Sequence, residues 1–218
     1  QKTTTADAEG DITQECAVPF FVDATIEKVL AQFRGTIQQI PSMYSALKKD
    51  GKPLYELARQ GIEIAREPRT IQIYRLELLR VEPLYWELEV ACSKGTYIRN
   101  LVEDIGDVLG CGAHVSELRR IASGCFTLDE QLSLPYLQGL AEQGMAPLDA
   151  LLLPAWAAIA DKPKVTVTDN TAYYLLHGNP VHVNHLPKNE DVLIFDEQQR
   201  FLGLGCMNDD GLLAPKRL

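Results

Sequence analysis

The sequence predicts an α+β fold, a mixed or antiparallel sheet with helices followed by a small β-barrel unit. Three observations carry that reading. Trp86, Leu88, Val90 and Cys92 alternate with Glu87, Glu89 and Ala91, the period of a half-buried strand. Directly afterwards Ile98, Leu101, Val102, Ile105, Val108 and Leu109 recur at helical spacing, and Gly110 supplies a stop. From Lys164 onward, short apolar runs alternate with turn-forming sequences, a pattern that suits a small barrel.

The elements follow in order. Residues 1–15 are polar, begin with Gln rather than Met, and read as a loop from the interior of a longer protein. Asp23 suits the cap of a helix whose apolar stripe is Ile26, Val29, Leu30 and Phe33. Pro41 to Lys52 is a loop rich in tyrosine, serine and lysine, and a short helix follows with Leu54, Leu57 and Ala58 inside and Gly61 as its stop. Strands are expected over Thr70–Arg80, Tyr85–Cys92 and Val115–Phe126. In the first, Ile71 and Ile73 fall out of phase with Leu76 and Leu78, which predicts a bulge. Strand, strand, helix, strand places the helices on one face. Two short helical pieces lie between Leu134 and Leu153, broken by Gly144 and Pro147, and 154–163 reads as a linker. The second unit opens with a strand over Lys164–Val167 and a helix over Asp169–His177. Short strands follow at Val181–Val183, Val192–Phe195, Phe201–Cys206 and Leu212–Ala214.

Bulk properties narrow the function classes. A hydrophobic content of 46% with 23% charged residues is ordinary for a globular chain. The apolar run Ala150–Leu153 is far too short to cross a bilayer, and a signal-peptide pattern is not present at the start. Five scattered cysteines without a Cys-x-x-Cys pair fit reduced, mostly buried thiols in the cytoplasm. Cys111 and His114, with no partner pair, make a poor metal site. A net charge of −9 argues against indiscriminate nucleic-acid binding. The charge is uneven, however: between Tyr44 and Arg75 seven basic residues (Lys48, Lys49, Lys52, Arg59, Arg66, Arg69, Arg75) face four acids. Such a basic face suits limited, shape-guided RNA binding, and a solvated helix with its flanks would look the same.

The segment Cys92-Ser93-Lys94-Gly95-Thr96-Tyr97-Ile98-Arg99 joins strand to helix and carries the candidate site. Gly95 makes the turn, Thr96 suits the N-cap, and Tyr97 and Arg99 fall in the first helical turn. A cation there opposes the helix dipole at a cost of roughly 0.3–1 kcal/mol. It is tolerable if Arg99 faces a buried carboxylate or a phosphate, or pairs with Glu103 one turn on. Glu103, Asp104 and Asp107 read as a solvated helix face rather than as metal ligands.

Several segments resemble one family in collinear order. Ile40-Pro41-Ser42-Met43-Tyr44-Ser45-Ala46-Leu47-Lys48 and Gly51-Lys52-Pro53-Leu54-Tyr55-Glu56-Leu57-Ala58-Arg59-Gln60-Gly61 resemble the insert of the TruB family of tRNA pseudouridine synthases. Ser93 to Arg99 resembles that family's active-site strand-turn-helix, and Gly110-Cys111-Gly112-Ala113-His114-Val115 with Leu118-Arg119-Arg120 resembles the strand after it. The opening Gln1 to Gly10 matches as well. Gly178-Asn179-Pro180-Val181 and Gly203-Leu204-Gly205 are similar to its PUA-like barrel.

The resemblance implies a pseudouridine synthase fold whose N-terminal part lies outside this sequence. Residues 1–160 would be the C-terminal part of the catalytic domain, with an RNA-binding insert over about 12–65, and 161–218 a PUA-like RNA-binding domain. It implies an isomerase that flips uridine 55 out of the T-arm stem-loop of tRNA, breaks its N-glycosidic bond and rejoins the base through carbon. Tyr97 would stack on the flipped base, Arg99 would pair with the catalytic aspartate, and Leu118 would close the apolar side of the pocket. Tyr44, Lys48, Lys49, Lys52, Arg59 and Lys94 would contact RNA. No metal or organic cofactor is implied, and the expected state is a cytoplasmic monomer with tRNA as partner. The family's essential aspartate belongs to a Gly-His-Thr-Gly-x-Leu-Asp-Pro loop that does not occur in these 218 residues. Thr127-Leu128-Asp129 is followed by Glu130 rather than proline, so Asp129 reads as a turn or cap residue, and Asp149 fails the same comparison. The chain is therefore expected to be inactive alone. The alternative is a non-catalytic RNA-binding module or chaperone.

Overall fold

The structure, a computed structural model, describes residues 1–218 and divides into two compact units, Gln1–Arg119 and Arg120–Leu218. The first opens with strands β1 (Lys2–Thr3) and β2 (Ile12–Gln14), which pair antiparallel. The polar opening is therefore a hairpin rather than a loop. Its tight connection is held by Thr4 N–H donating to Asp11 C=O and Gly10 N–H to Asp7 C=O, bonds that composition does not announce.

Helix α1 (Asp23–Leu30) places Ile26, Val29 and Leu30 in the core. Val22, not Asp23, occupies its N-cap, and Asp23 lies one position on, where its charge still favours the positive end of the helix dipole. Strand β3 (Gly35–Gln39), β6 (Arg69–Val81) and β7 (Trp86–Cys92) form one antiparallel sheet in the order β3-β6-β7. The bulge in β6 is present. Ile73 opposes Cys92 and Arg75 opposes Ala91, so Tyr74 is the extra residue that returns Leu76 to the face of Ile71 and Ile73. Helix α3 (Ile98–Leu109) adds Leu101 and Ile105 to that cluster, so α1, α3 and β6 share one apolar core.

The insert expected over about 12–65 is narrower in the fold, because 12–39 supply β2, α1 and β3 of the core unit. The segment between β3 and β6, called the insert below, carries a two-residue ladder of β4 (Lys48–Lys49) and β5 (Lys52–Pro53) and helix α2 (Leu54–Arg59). Asp50 and Gly51 form its turn, both at positive φ, the two-residue geometry that matches strand twist.

The strand expected over Val115–Phe126 does not form as such. Val115 makes a single parallel bridge to Asp7, and 116–121 is irregular and exposed. Alternation holds a strand only where a neighbour covers one face and pairs with its backbone, and neither occurs here.

In the second unit, β8 (Ala122–Ser123) and β9 (Phe126–Thr127) make a small hairpin. The 3-10 turn Leu128–Glu130 follows, closed by a capping box between Thr127 and Glu130. Helices α4 (Leu134–Ala141) and α5 (Met145–Asp149) are separated at Gly144. Pro147 does not break α5; it lies in the first turn, where a missing N–H costs nothing. Strands β10 (Lys164–Thr166), β11 (Asp191–Phe195), β12 (Phe201–Met207) and β13 (Leu213–Arg217) form a sheet in that order. Only the β10–β11 pair is parallel. Val181–Val183 contributes one bridge, Val181 to Leu213, instead of a strand. Helix α6 (Asp169–Leu176), capped by Thr168, packs Ala172 and Leu175 with Val192, Ile194 and Leu213. Only Cys111 is buried among the five free cysteines and Cys125 is exposed, so the thiols are less enclosed than expected.

Candidate active site

Arg99 sits in the first turn of α3, and its anion is Asp7. Nη1 of Arg99 lies 2.7 Å from Oδ2 of Asp7. Glu103 is engaged elsewhere: Lys2 Nζ lies 3.3 Å from Glu103 and 2.9 Å from Asp107. The sequence calls for an anion at Arg99 without locating it. Asp7 stands out there only as one residue of the opening segment that matches the family, and its place in a run of small turn-forming residues is the signal available.

The hairpin connection presents Asp7 rigidly. Val115 N–H donates to Ala6 C=O at 3.0 Å, and Ala8 N–H donates to Val115 C=O at 2.9 Å. Thr3 Oγ1 donates to the Asp7 carbonyl at 2.6 Å. Ala6 holds φ +56, a left-handed conformation that costs a residue with a Cβ about 1–2 kcal/mol. Strain of that kind next to a charged pair is characteristic of sites that must fix a side chain. Burial pushes the Asp7 carboxyl up, but the Thr5 hydroxyl at 2.5 Å, the Glu9 N–H at 3.2 Å and the Arg99 charge outweigh it, leaving the group below its ordinary range. Asp7 is therefore an ionised anchor at neutral pH.

Tyr97, not Thr96, is the N-cap of α3; Thr96 Oγ1 instead donates to Ser93 C=O at 2.9 Å, closing the turn that Gly95 makes at φ +85. The backbone of Tyr97 is held by the side chain of Gln39, whose Oε1 accepts its N–H at 2.8 Å and whose Nε2 donates to its C=O at 3.0 Å. Gln39 is buried at the end of β3, and no sequence pattern singles it out.

Around the pair opens a cleft of about 520 Å³, lined by Thr5, Asp7 and Glu9 of the hairpin, Tyr44, Ser45, Ala46, Tyr55 and Arg59 of the insert, and Arg99. Two of the expected RNA contacts, Tyr44 and Arg59, thus meet Arg99 in one cleft, with the Arg59 guanidinium 5.4 Å from the centre of the Tyr55 ring. Lys48, Lys49 and Lys52 are exposed on the β4–β5 ladder, and Lys94 is exposed at the turn before α3. Tyr97 is half-buried and outside the cleft lining; Leu118 is 58% exposed, three residues beyond the Val115 bridge that holds Asp7. No group of three or more His, Cys, Asp or Glu side chains is arranged to hold a metal ion. No helix is long and apolar enough to cross a membrane.

This architecture is that of a pseudouridine synthase fold. By similarity to a solved Cbf5-Nop10-Gar1 complex, 93% of the chain superposes at a TM-score of 0.67 and 25% identity, covering 63% of that chain. An H/ACA ribonucleoprotein bound to a substrate RNA containing 2'-deoxyuridine gives a TM-score of 0.65 at 23% identity. Residues 1–98 match the TruB family pseudouridylate synthase N-terminal domain, 99–160 the tRNA pseudouridylate synthase B C-terminal domain, and 163–218 the pseudouridine synthase II TruB C-terminal domain. Over 217 residues the chain is 50% identical to tRNA pseudouridine synthase B of Stutzerimonas stutzeri strain A1501, covering 99% of this chain and 71% of that protein. The enzyme of the same name from Colwellia psychrerythraea strain 34H is 46% identical over 230 residues, covering 72% of it. The chain belongs to the TruB family of pseudouridine synthases, and its second unit includes that family's PUA-like domain.

Proposed function

We propose that this chain binds the T-arm stem-loop of tRNA as part of a pseudouridine synthase directed at uridine 55. The observation that carries the reading is the Asp7–Arg99 pair set in a cleft with Tyr44 and Arg59 of the insert. A flipped nucleotide needs flat surfaces and fixed charge at one place, and this cleft offers tyrosine rings beside a guanidinium that Asp7 holds still.

On this reading the exposed lysines of the β4–β5 ladder, Lys94 and Arg59 meet phosphates, which position the stem-loop without reading its sequence. Flipping the uridine costs a few kcal/mol of lost stacking and pairing, and a base stacked on an aromatic ring regains roughly 1–3 kcal/mol. The family resemblance gives that ring as Tyr97, two residues before Arg99 and outside the cleft lining, so the base itself would pass beyond the cleft to reach it. Arg99, neutralised by Asp7, is poised to exchange its partner for the catalytic aspartate of the family's Gly-His-Thr-Gly-x-Leu-Asp-Pro loop. Leu118, exposed as it stands, would cover an apolar edge of the base. The PUA-like domain over 161–218 adds RNA contacts, and the working unit is a cytoplasmic monomer without metal or organic cofactor.

Because that aspartate loop does not occur within residues 1–218, these residues by themselves bind and position RNA without breaking the glycosidic bond. The test is a T-arm stem-loop titrated with the 218-residue chain at several salt concentrations, with the RNA then digested and analysed for pseudouridine. Affinity falling linearly in log–log form with salt, and no pseudouridine, is expected. A flat salt response overturns the RNA reading, and pseudouridine in the product overturns the inactivity of these residues alone.

A further inference from the structure

Gln39 occupies the junction between the insert and the start of α3. The residue is 3% exposed, and its side chain uses both polar atoms on one residue, accepting from the Tyr97 N–H at 2.8 Å and donating to the Tyr97 C=O at 3.0 Å. An N–H can only donate and a carbonyl can only accept, so the orientation of the amide is fixed by its partners. Tyr97 is the N-cap of α3 with non-helical backbone, φ −98° and ψ 104°, and no side chain of the helix caps that end. Gln39 supplies from the sheet the partner that the helix terminus lacks. The adjoining backbone is tied to the same helix and to the insert's exit. Ile40 C=O accepts from Asn100 Nδ2 at 3.1 Å, and Pro41 C=O accepts from Arg66 Nη1 at 3.2 Å.

We infer that Gln39 is a positioning residue, whose buried amide clamps the Tyr97 backbone so that entry into the insert sets where the Tyr97 ring meets the flipped base. The inference rests on the proposed stacking of the target uridine on Tyr97. It adds the side chain that acts through that ring and a physical link from the RNA-contacting insert to it. A Gln39 that served stability alone would weaken the fold and the binding of RNA together. A positioning Gln39 separates binding from flipping.

The experiment uses a T-arm stem-loop with 2-aminopurine next to the target uridine, whose emission rises when its neighbour unstacks. Affinity is read by anisotropy, flipping by emission, and folding by thermal melting. Wild type is expected to bind and to raise the emission. Gln39→Met is expected to keep the affinity and lose most of that rise. Tyr97→Ala keeps the backbone groups that Gln39 holds but loses the ring, and adding Gln39→Met to it is expected to bring no further loss, because the two act as one unit. Should Gln39→Met melt early, Gln39→Glu takes its place; it keeps the acceptor for the N–H and loses the donor for the carbonyl, and a partial loss of the rise at unchanged affinity is expected. Full emission from both Gln39 variants, parallel losses of affinity and emission, or additive losses in the Tyr97→Ala background each overturn the inference. A wild type that binds with no rise in emission refutes instead the stacking reading beneath it, a result visible before any Gln39 variant is made.

Discussion

Arg99 and Asp7 meet at 2.7 Å between the first turn of α3 and the connection of the opening hairpin. A helix start with an arginine and no acidic residue of its own is thereby balanced by a carboxylate from the far end of the unit's sequence. The pair turns an unfavourable local choice into a fixed feature of the cleft.

Replacing Asp7 with Asn removes the charge that faces Arg99 while keeping the shape. With Arg99 44% exposed, the Coulomb contribution is screened, so the expected cost is only about 1 kcal/mol at pH 7, much of it from weakened bonds with the Thr5 hydroxyl and Glu9 N–H. The folded carboxyl titrates below its ordinary value, so its stabilisation is fully present above that value. It is lost as the pH falls through the lower, folded pKa. Urea unfolding should show wild type and variant separated at pH 7 and converging below about pH 4. A gap that widens in acid would contradict the assignment.

Gly106 of α3 is pressed against the loop that follows the helix. A Cβ there would lie 2.2 Å from the Ala113 N and 2.5 Å from the Gly112 carbonyl carbon. Both are backbone atoms, so Gly106→Ala is expected to destabilise by about 1–3 kcal/mol despite alanine's better helix propensity. Chemical denaturation measures this directly. A stabilised variant would mean that the 110–113 loop moves aside freely.

Leu101 is fully buried among Ile26, Leu30, Ile73 and Leu76. Truncation to Ala is expected to cost about 2–5 kcal/mol, from lost transfer energy and the cavity left behind. Leu118, at 58% exposure, offers the opposite case. Leu118→Ala should shift stability by less than about 0.5 kcal/mol, and any effect on RNA binding or flipping then reports contact with RNA. Paired thermal melts of the two variants separate the roles.

Neutralising Lys48, Lys49, Lys52 or Arg59 one at a time tests the basic face. Removing a side chain that meets a phosphate should lower the slope of log affinity against log salt by about one unit, with little change in preference between stem-loops. Since all four side chains are exposed, melting temperatures should stay put. An unchanged slope for all four variants would place the RNA on another surface.

Much of this molecule follows from local pattern. The alternation in β7, the amphipathic α3 and the phase slip that marks the β6 bulge each need only side-chain periodicity, so they are visible in the chain itself. Collinear motifs likewise carried the family, and with it Tyr44, Arg59 and Arg99 as site candidates. The Val115–Phe126 segment shows where pattern stops: its alternation is real, but a strand needs a partner edge, and only Val115 finds one. Tertiary structure alone decided that Asp7 is the anion for Arg99 and that Gln39 holds Tyr97. Both contacts join residues far apart in sequence through single side chains. A long-range ion pair or amide clamp leaves no period behind, because its geometry exists only once hairpin, sheet and helix have packed.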